Sequence, residues 1–290
     1  MPRVTVIIAT FNWSSVLPYS IGSVLRQTMS DFEVLVVGDG CTDDSVAVVA
    51  AIGDPRVRWI NLPANSGHQS GPNNEGLSQA KGELIAYLGH DDLWLPHHLA
   101  ALVTAIERSG AGMAHSLVAC VSPNGEVIPA TPWPEKGLWG PPSCTIHRKV
   151  VTERVGGWRD YRELDVVPEI DLWRRARDAG FEFTFVPRLT AVKFPASMRR
   201  AVYQIRPCNE QAAWTARIEN EPDFEALTLA RMVADGCDIR AMPYREMVRH
   251  VIRQTFARFG RSLGVRAKME RLLWIQKHGG IDTARKFKGL

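Results

Sequence analysis

Val4-Thr5-Val6-Ile7-Ile8-Ala9 is almost unbroken in its apolar character, the pattern of a strand buried on both faces of a parallel sheet. Phe32 to Val37 repeats it and runs into Gly38-Asp39-Gly40, a turn signal. Val57 to Ile60 and Glu83 to Leu88 give two more such strands. Between them the apolar spacing changes to a helical one. Ser14-Ser15 can cap a helix from Val16 to Gln27. Further helices are expected over Ser45 to Ile52, over Asn73 to Ala80, and from Pro96, suited to a first turn, to about Ser109. Strand–helix alternation at this spacing predicts right-handed βαβ units and a mostly parallel sheet flanked by helices. Ligands in such sheets bind beyond the carboxyl ends of the strands. Thr10-Phe11-Asn12, Asp39-Gly40-Cys41-Thr42-Asp43 and His90-Asp91-Asp92 all fall at those ends, so one convergent site is expected.

The pattern then changes. Residues 120–147 are rich in Pro, Gly and Trp, with a hairpin signal at Asn124-Gly125, and read as loops and short strands over the site. Gly156-Gly157-Trp158 marks a turn, Glu169 to Ala179 a helix and Phe181 to Val186 a late strand. Beyond Tyr203 the chain reads mostly helical. The expected division is an α/β domain over residues 1–200, with halves meeting near residue 110, and a helical extension over 201–290.

A chain of 290 residues with 45% apolar and 23% charged positions is ordinary globular composition and needs no staple to hold a core. The five cysteines are widely spaced, with no CxxC pair. That argues against a disulfide framework or structural zinc and for a reducing compartment. No apolar run approaches the roughly 18 residues of a membrane span, and the first residues lack the regions of a signal peptide. The expected location is the cytoplasm. The net charge of +4 conceals an asymmetry: from Arg245 to Leu290 twelve Lys/Arg face three Asp/Glu, giving +9, so the rest carries −5. Apolar residues at helical spacing through Phe256 and Phe259, with Arg249, Arg253 and Arg261 beside them, fit a helix that turns its basic side to anionic lipid at the inner membrane face. Packing in a homo-oligomer is the competing expectation. No nucleic-acid reading motif accompanies this charge, so nucleic acid is not an expected partner.

The strings Pro2 to Asn12, Asp31 to Asp43, Ala80 to Leu88, Asp91-Asp92, Gly156-Gly157-Trp158 and Asp171-Leu172-Trp173, in this order and spacing, make residues 2–195 resemble a family-two glycosyltransferase of the bacterial type. The resemblance implies a GT-A fold, Rossmann-like, and inverting transfer of a sugar from a nucleoside-diphosphate sugar to a hydroxyl of a saccharide or lipid-linked saccharide. A departing diphosphate needs its charge stabilised, and Mg²⁺ or Mn²⁺ held by one or two carboxylates does this. By the resemblance Asp91 matches the last acid of the family's DxD motif and is the expected metal ligand, with Asp92 the second choice. Asp39 matches the acid that accepts from the nucleotide base. A carboxylate accepting an imide N–H would favour uracil or thymine, hence a UDP or dTDP donor. Thr10, Asn12 and Asn73 are expected along the donor pocket. Glu169 falls where the family's general base sits, with Asp171 and Asp165 as competitors.

Four positions depart from the family pattern. Gly38 and Gly89 stand where acids are common, Asn73 where an Arg often meets the donor, and Pro168 where a Glu is usual. His90 is a candidate compensating ligand, and Lys193 a candidate partner of the diphosphate. Trp133 and Trp139 are candidate acceptor platforms, whereas Trp158 and Trp173 read as core. A catalytically silent domain of the same fold, binding nucleotide sugar or scaffolding a glycan assembly, is the alternative that the missing acids leave open.

Overall fold

The computed structural model describes residues 1–129, 140–164, 166–237 and 281–289. The expectations for Trp133, Trp139, Asp165 and the basic stretch from Arg245 through Arg261 lie outside the described residues.

Nine strands form one sheet: β1 (Val4–Thr10), β2 (Phe32–Gly38), β3 (Val57–Asn61), β4 (Leu84–Tyr87), β5 (Leu93–Trp94), β6 (Met113–Val121), β7 (Val127–Pro129), β8 (Thr145–Arg148) and β9 (Phe183–Lys193). They lie in the order β3-β2-β1-β4-β8-β6-β9-β5, with β7 paired to β6. The first four strands pair in parallel, Val6 lying between Val34 and Ala86. The expectation of a mostly parallel sheet holds for this half only. Beyond β4 the pairings are antiparallel except for β6 with β9. The difference arises at β8, which enters against β4 and carries the sheet into the second half.

Helices α1 (Leu17–Leu25), α2 (Ser45–Ala51), α3 (Ser70–Gln79) and α4 (His98–Ser109) connect the first strands, and α5 (Lys149–Val155) and α6 (Pro168–Asp178) follow β8. The start of α1 differs from expectation. Ser14–Val16 form a 3₁₀ turn with no side-chain cap, and the Ser14 N–H instead donates to the Asp43 carboxylate at 3.1 Å. An acid from a neighbouring strand end thus meets the orphan donor that the serines were expected to satisfy.

Apolar side chains fill both faces of the sheet. Val6, Ile8, Val34, Val36 and Ala86 pack with α1 and α4 on one side, and Ile7, Leu35, Ile85 and Tyr87 pack with α6 on the other. Each large side chain so buried stabilises by about 1.5–3 kcal/mol. Trp158 and Trp173 belong to this second cluster, 4% and 1% exposed, as read from the sequence. After β9 come α7 (Val202–Ile205), α8 (Asn209–Asn220) and α9 (Phe224–Cys237). Trp214, Phe224 and Met232 share a core with Val121, Val127, Leu189 and Phe194. The early part of the helical extension is therefore continuous with the sheet. The last described helix, α10 (Ile281–Lys288), packs beside α7.

Candidate active site

At the ends of β1 and β2 the polar residues are tied to one another. Asn12 takes a left-handed conformation, φ 44°, and its side-chain Oδ1 accepts the Thr42 and Asp43 N–H groups at 2.7 and 3.2 Å. Thr10 hydrogen-bonds through its hydroxyl to His90 Nδ1 at 2.8 Å, and its backbone carbonyl accepts the Asp39 N–H. Asp39, 4% exposed, accepts from Ser66 N–H and Oγ on one oxygen, at 2.9 and 2.7 Å, and from Gly67 N–H on the other, at 3.2 Å. Sequence reasoning did not identify these serine and glycine partners; the only local signal was a turn-forming Asn65-Ser66-Gly67 run.

Gly38 has a steric reason to lack an acid. A Cβ there would meet Trp59 at 2.8 Å and also the Asn61 side chain, both on β3. Asn61 itself binds Cys41 on both sides, accepting from its N–H at 2.9 Å and donating to its carbonyl at 3.0 Å. The amide holds the turn that carries Asp39.

After β4 two adjacent acids have opposite surroundings. Asp92 is fully buried, and its oxygens accept from Ser143 Oγ (2.5 Å), Lys193 Nζ (3.0 Å) and the Phe194 N–H (3.1 Å). Asp91 is 8% exposed, and its carboxylate meets its own backbone N–H but no other side chain's donor among the described residues. Burial and then the neighbouring Asp92 charge push its pKa up to about 7. Gly89 follows from the same arrangement. A Cβ would lie 2.6 Å from Asp92 Oδ2, which Ser143 Oγ and Lys193 Nζ hold in place, so an acid at this position has neither room nor favourable electrostatics.

A buried carboxylate that no side-chain donor meets among the described residues fits a divalent cation that takes its remaining ligands from phosphate and water. Asp91 is the residue that would hold it. Among the described residues no three His, Cys, Asp or Glu side chains converge as a protein cage. His90 is turned to other work. It bonds Thr10, lies edge-on to Trp13 at 5.2 Å, and is pushed down to about 4 by burial.

Glu169 stands at the start of α6, half-buried, accepting from Gln69 Nε2 at 3.1 Å. Burial raises its pKa, while Lys193 and Lys288 pull it back. Gln69 lies three residues from Ser66, so one loop links Asp39 to Glu169. Asp171 is committed elsewhere, accepting from Arg175 Nε at 2.8 Å, with Arg159 at 3.7 Å. Lys193 ties both acid sites together. Burial would lower its pKa, but Asp92 and Asp91 outweigh burial and hold it above the usual lysine range. Asn73 is buried on α3 with no side-chain partner among the described residues. Asp39 is thus linked to Glu169 through the loop from Ser66 to Gln69, and Lys193 acts on Asp91, Asp92 and Glu169, near the ends of β1, β2 and β4.

Comparison with known proteins gives the family and the fold. The model of glycosyl transferase family 2 matches residues 5–150. The Campylobacter jejuni GalNAc(5)-diNAcBac-PP-undecaprenol beta-1,3-glucosyltransferase is 34% identical over 126 residues, 42% of this chain and 39% of that protein. With two other curated relatives the match likewise spans 36% of their length. Staphylococcus aureus TarS (residues 1–349) in complex with UDP-GlcNAc superposes with TM-score 0.59 at 17% identity, over 85% of this chain and 78% of that one. The Pyrobaculum calidifontis mannosyltransferase PcManGT, in complex with GDP-Man and Mn²⁺, gives TM-score 0.56 at 17% identity, over 94% and 85%. At such identity the two structures share the fold, which is that of GT-A glycosyltransferases.

Proposed function

The chain belongs to glycosyl transferase family 2, and from that premise we propose that it is an inverting transferase that moves a sugar from a UDP or dTDP sugar to a hydroxyl acceptor. The acceptor is a saccharide or lipid-linked saccharide of cell-surface glycan synthesis. The observation that carries this reading is that Lys193 acts on both Asp91, a buried carboxylate with no side-chain donor among the described residues, and Glu169, a half-buried carboxylate of raised pKa.

Asp39, anchored by Ser66 and Gly67, still has acceptor capacity for the N3–H of uracil or thymine. Asp91 would hold Mg²⁺ or Mn²⁺ against the donor's diphosphate, and the ion supplies charge neutralisation of that leaving group. Lys193, kept charged by Asp92, faces the same phosphates. Asp92 is a positioning residue here, since it fixes Lys193 and the turn after β4. Glu169 accepts the proton of the acceptor hydroxyl during in-line attack. Its raised pKa suits a general base, because proton acceptance is stronger when the conjugate acid is weaker.

Transfer and donor hydrolysis, measured over a panel of UDP, dTDP, GDP and CDP sugars with and without Mn²⁺, test the reading. Turnover restricted to UDP or dTDP sugars is expected, and preference for a guanosine or cytidine sugar would overturn the role of Asp39. Gly89, which removes one motif acid, favours a second reading, a silent domain that binds donor. Tight donor binding with no turnover in any condition would select it.

A further inference from the structure

Helix α10 reaches the cleft from the far end of the chain. It is fixed at three points. The Ala201 N–H donates to the Phe287 carbonyl at 2.7 Å. Gly289, at φ +85°, sits so close to the Gln204 side chain and the Ala201 Cα that no Cβ fits there without a shift. Arg285 donates to the Gly67 carbonyl, while the N–H of that glycine donates to Asp39. The Arg285 guanidinium also lies 5.9 Å from the Tyr161 ring. The three basic residues of the last turn are placed differently. Lys286 is exposed, whereas Arg285 and Lys288 are half-buried. Lys288 is near enough to feel the charges of Lys193, Glu169, Asp91 and Arg285; burial first, and then Lys193, hold its pKa below the usual lysine range, and it has no ion pair within 4.0 Å among the described residues.

A favourable contact of basic residues with the helix dipole accounts for charge at this end. It does not account for turning two of the three inward. Lys193 already has Asp92. Lys288 feels Glu169 and Asp91 as well as Lys193, but neither carboxylate pairs with it within 4.0 Å among the described residues, so its ammonium is open to a further anion. The anion that suits two ammonium groups and a guanidinium is a diphosphate.

We propose that α10 is part of the donor site, and that Lys288 and Arg285 bind the diphosphate of the nucleotide together with Lys193. This rests on the donor reading above. It adds to the single retained motif acid a set of protein cations on the same leaving group, supplied from residues that the family match does not cover. A diphosphate also occurs in lipid-linked acceptors, so the test separates the two sources.

Affinities of the full chain for UDP, UMP, uridine and inorganic pyrophosphate are measured by calorimetry for the wild type, Lys288→Ala, Lys288→Arg, Arg285→Ala and Lys286→Ala. Loss of a hydrogen bond to a charged group predicts about 10-fold or greater weakening of UDP binding in Lys288→Ala. Uridine binding should be unchanged, Lys288→Arg should keep most of the affinity, and Lys286→Ala should match the wild type. Ligand-free melting curves confirm that the variants are folded. Wild-type affinity for UDP in both Lys288→Ala and Arg285→Ala overturns the proposal and leaves the donor reading standing. Weakened pyrophosphate binding with unchanged UDP binding also overturns it, by assigning the cations to another phosphate group. A wild-type chain that binds none of UDP, dTDP and GDP overturns the donor reading itself, and the proposal with it.

Discussion

The rim of the cleft at the end of β2 and its floor after β4 are both rich in acids, yet they are built on opposite terms. At the rim, Asp39, Asn12, Asn61 and Asp43 each meet backbone N–H groups of neighbouring loops. At the floor, among the described residues, Asp91 meets no side-chain donor and Glu169 meets one neutral amide. Asp92 belongs with the rim in character, although it adjoins Asp91. Satisfied carboxylates hold a shape, because removing one strands its donors. Unsatisfied carboxylates in a dry cleft keep their charge for a ligand or a proton, which is where perturbed pKa values collect in active sites. The contrast separates variants that lose the fold from variants that lose the reaction.

The largest effect is expected at Glu169. Glu169→Gln keeps the size and the Gln69 contact but removes basicity. Turnover should fall about 10²–10⁴-fold, while donor affinity and melting temperature stay near wild type. Because burial raises the Glu169 pKa, wild-type turnover should fall with acid from a higher pH than an ordinary glutamate would give. If Glu169→Gln turns over normally while Asp171→Asn does not, the base lies two residues later.

Asp92→Asn should behave in the opposite way. It leaves Lys193, Ser143 and the Phe194 N–H facing a neutral amide, and breaking a buried pair from one side costs about 3–5 kcal/mol. Urea unfolding should show a loss of that order. A variant as stable as wild type would remove Asp92 from the structural class and restore it as a direct ligand of the donor or its cation.

Acid unfolding sharpens the comparison. Burial pushes His115 and His147 down to about 4 and His98 well below its ordinary value. Between the unfolded value near 6.5 and the folded values, the unfolded chain binds protons that the folded chain does not. Stability therefore falls as pH falls through this window, by roughly 1.4 kcal/mol per pH unit for each group. Asp91 and Glu169, with raised values, act in the other direction. His90, also pushed down to about 4, and His97, lowered by burial, act with those three histidines, and five groups against two leave a net loss between pH 6.5 and 5, read as a falling urea midpoint. The slope should steepen in Glu169→Gln, where one opposing group is gone. A midpoint flat or rising towards acid would contradict the burial of these histidines as neutral rings.

The same contrast explains what the sequence made legible. β1 to β4 were readable because Val, Ile and Leu dominate them, and the acids at their ends stand next to turn signals. β6 was not foreseen. Met113–Val121 carries His115 and Ser116 inside a strand buried on both faces, and the Ser116 hydroxyl finds its partners far along the chain, Thr190 Oγ1 at 2.6 Å and the Cys144 carbonyl at 3.5 Å. The late strand was expected to stop at Val186 but runs to Lys193 through a register shift opposite Leu117. Asp91 and Glu169 were found by position in a pattern. Nothing local in sequence separates the exposed Lys286 from the inward Lys288, and nothing near Asp91 reveals that its neighbour takes every donor.

The smallest expected effect is also the sharpest, since it sets Asp91 against Asp92 by one substitution each. Asp91→Asn has nearly the same shape as the parent and strands no protein donor. It removes a buried charge that lies beside another carboxylate. In the presence of a chelator the variant should be more stable than wild type, by about 1 kcal/mol, because a neutral group replaces an uncompensated ion. Its turnover should nevertheless be heavily reduced. Adding Mn²⁺ with UDP should then reverse the order of stabilities. A ligand stabilises by RT ln(1 + [L]/Kd), about 2.7 kcal/mol at 100 times Kd, and only the wild type keeps the carboxylate that shares the cation with the diphosphate. Melting temperatures of the two proteins, with chelator and with Mn²⁺ and UDP, read both signs in one experiment. If Asp91→Asn is destabilised as strongly as Asp92→Asn, the two acids do the same structural work and the distinction between rim and floor fails at the point where it is drawn most closely.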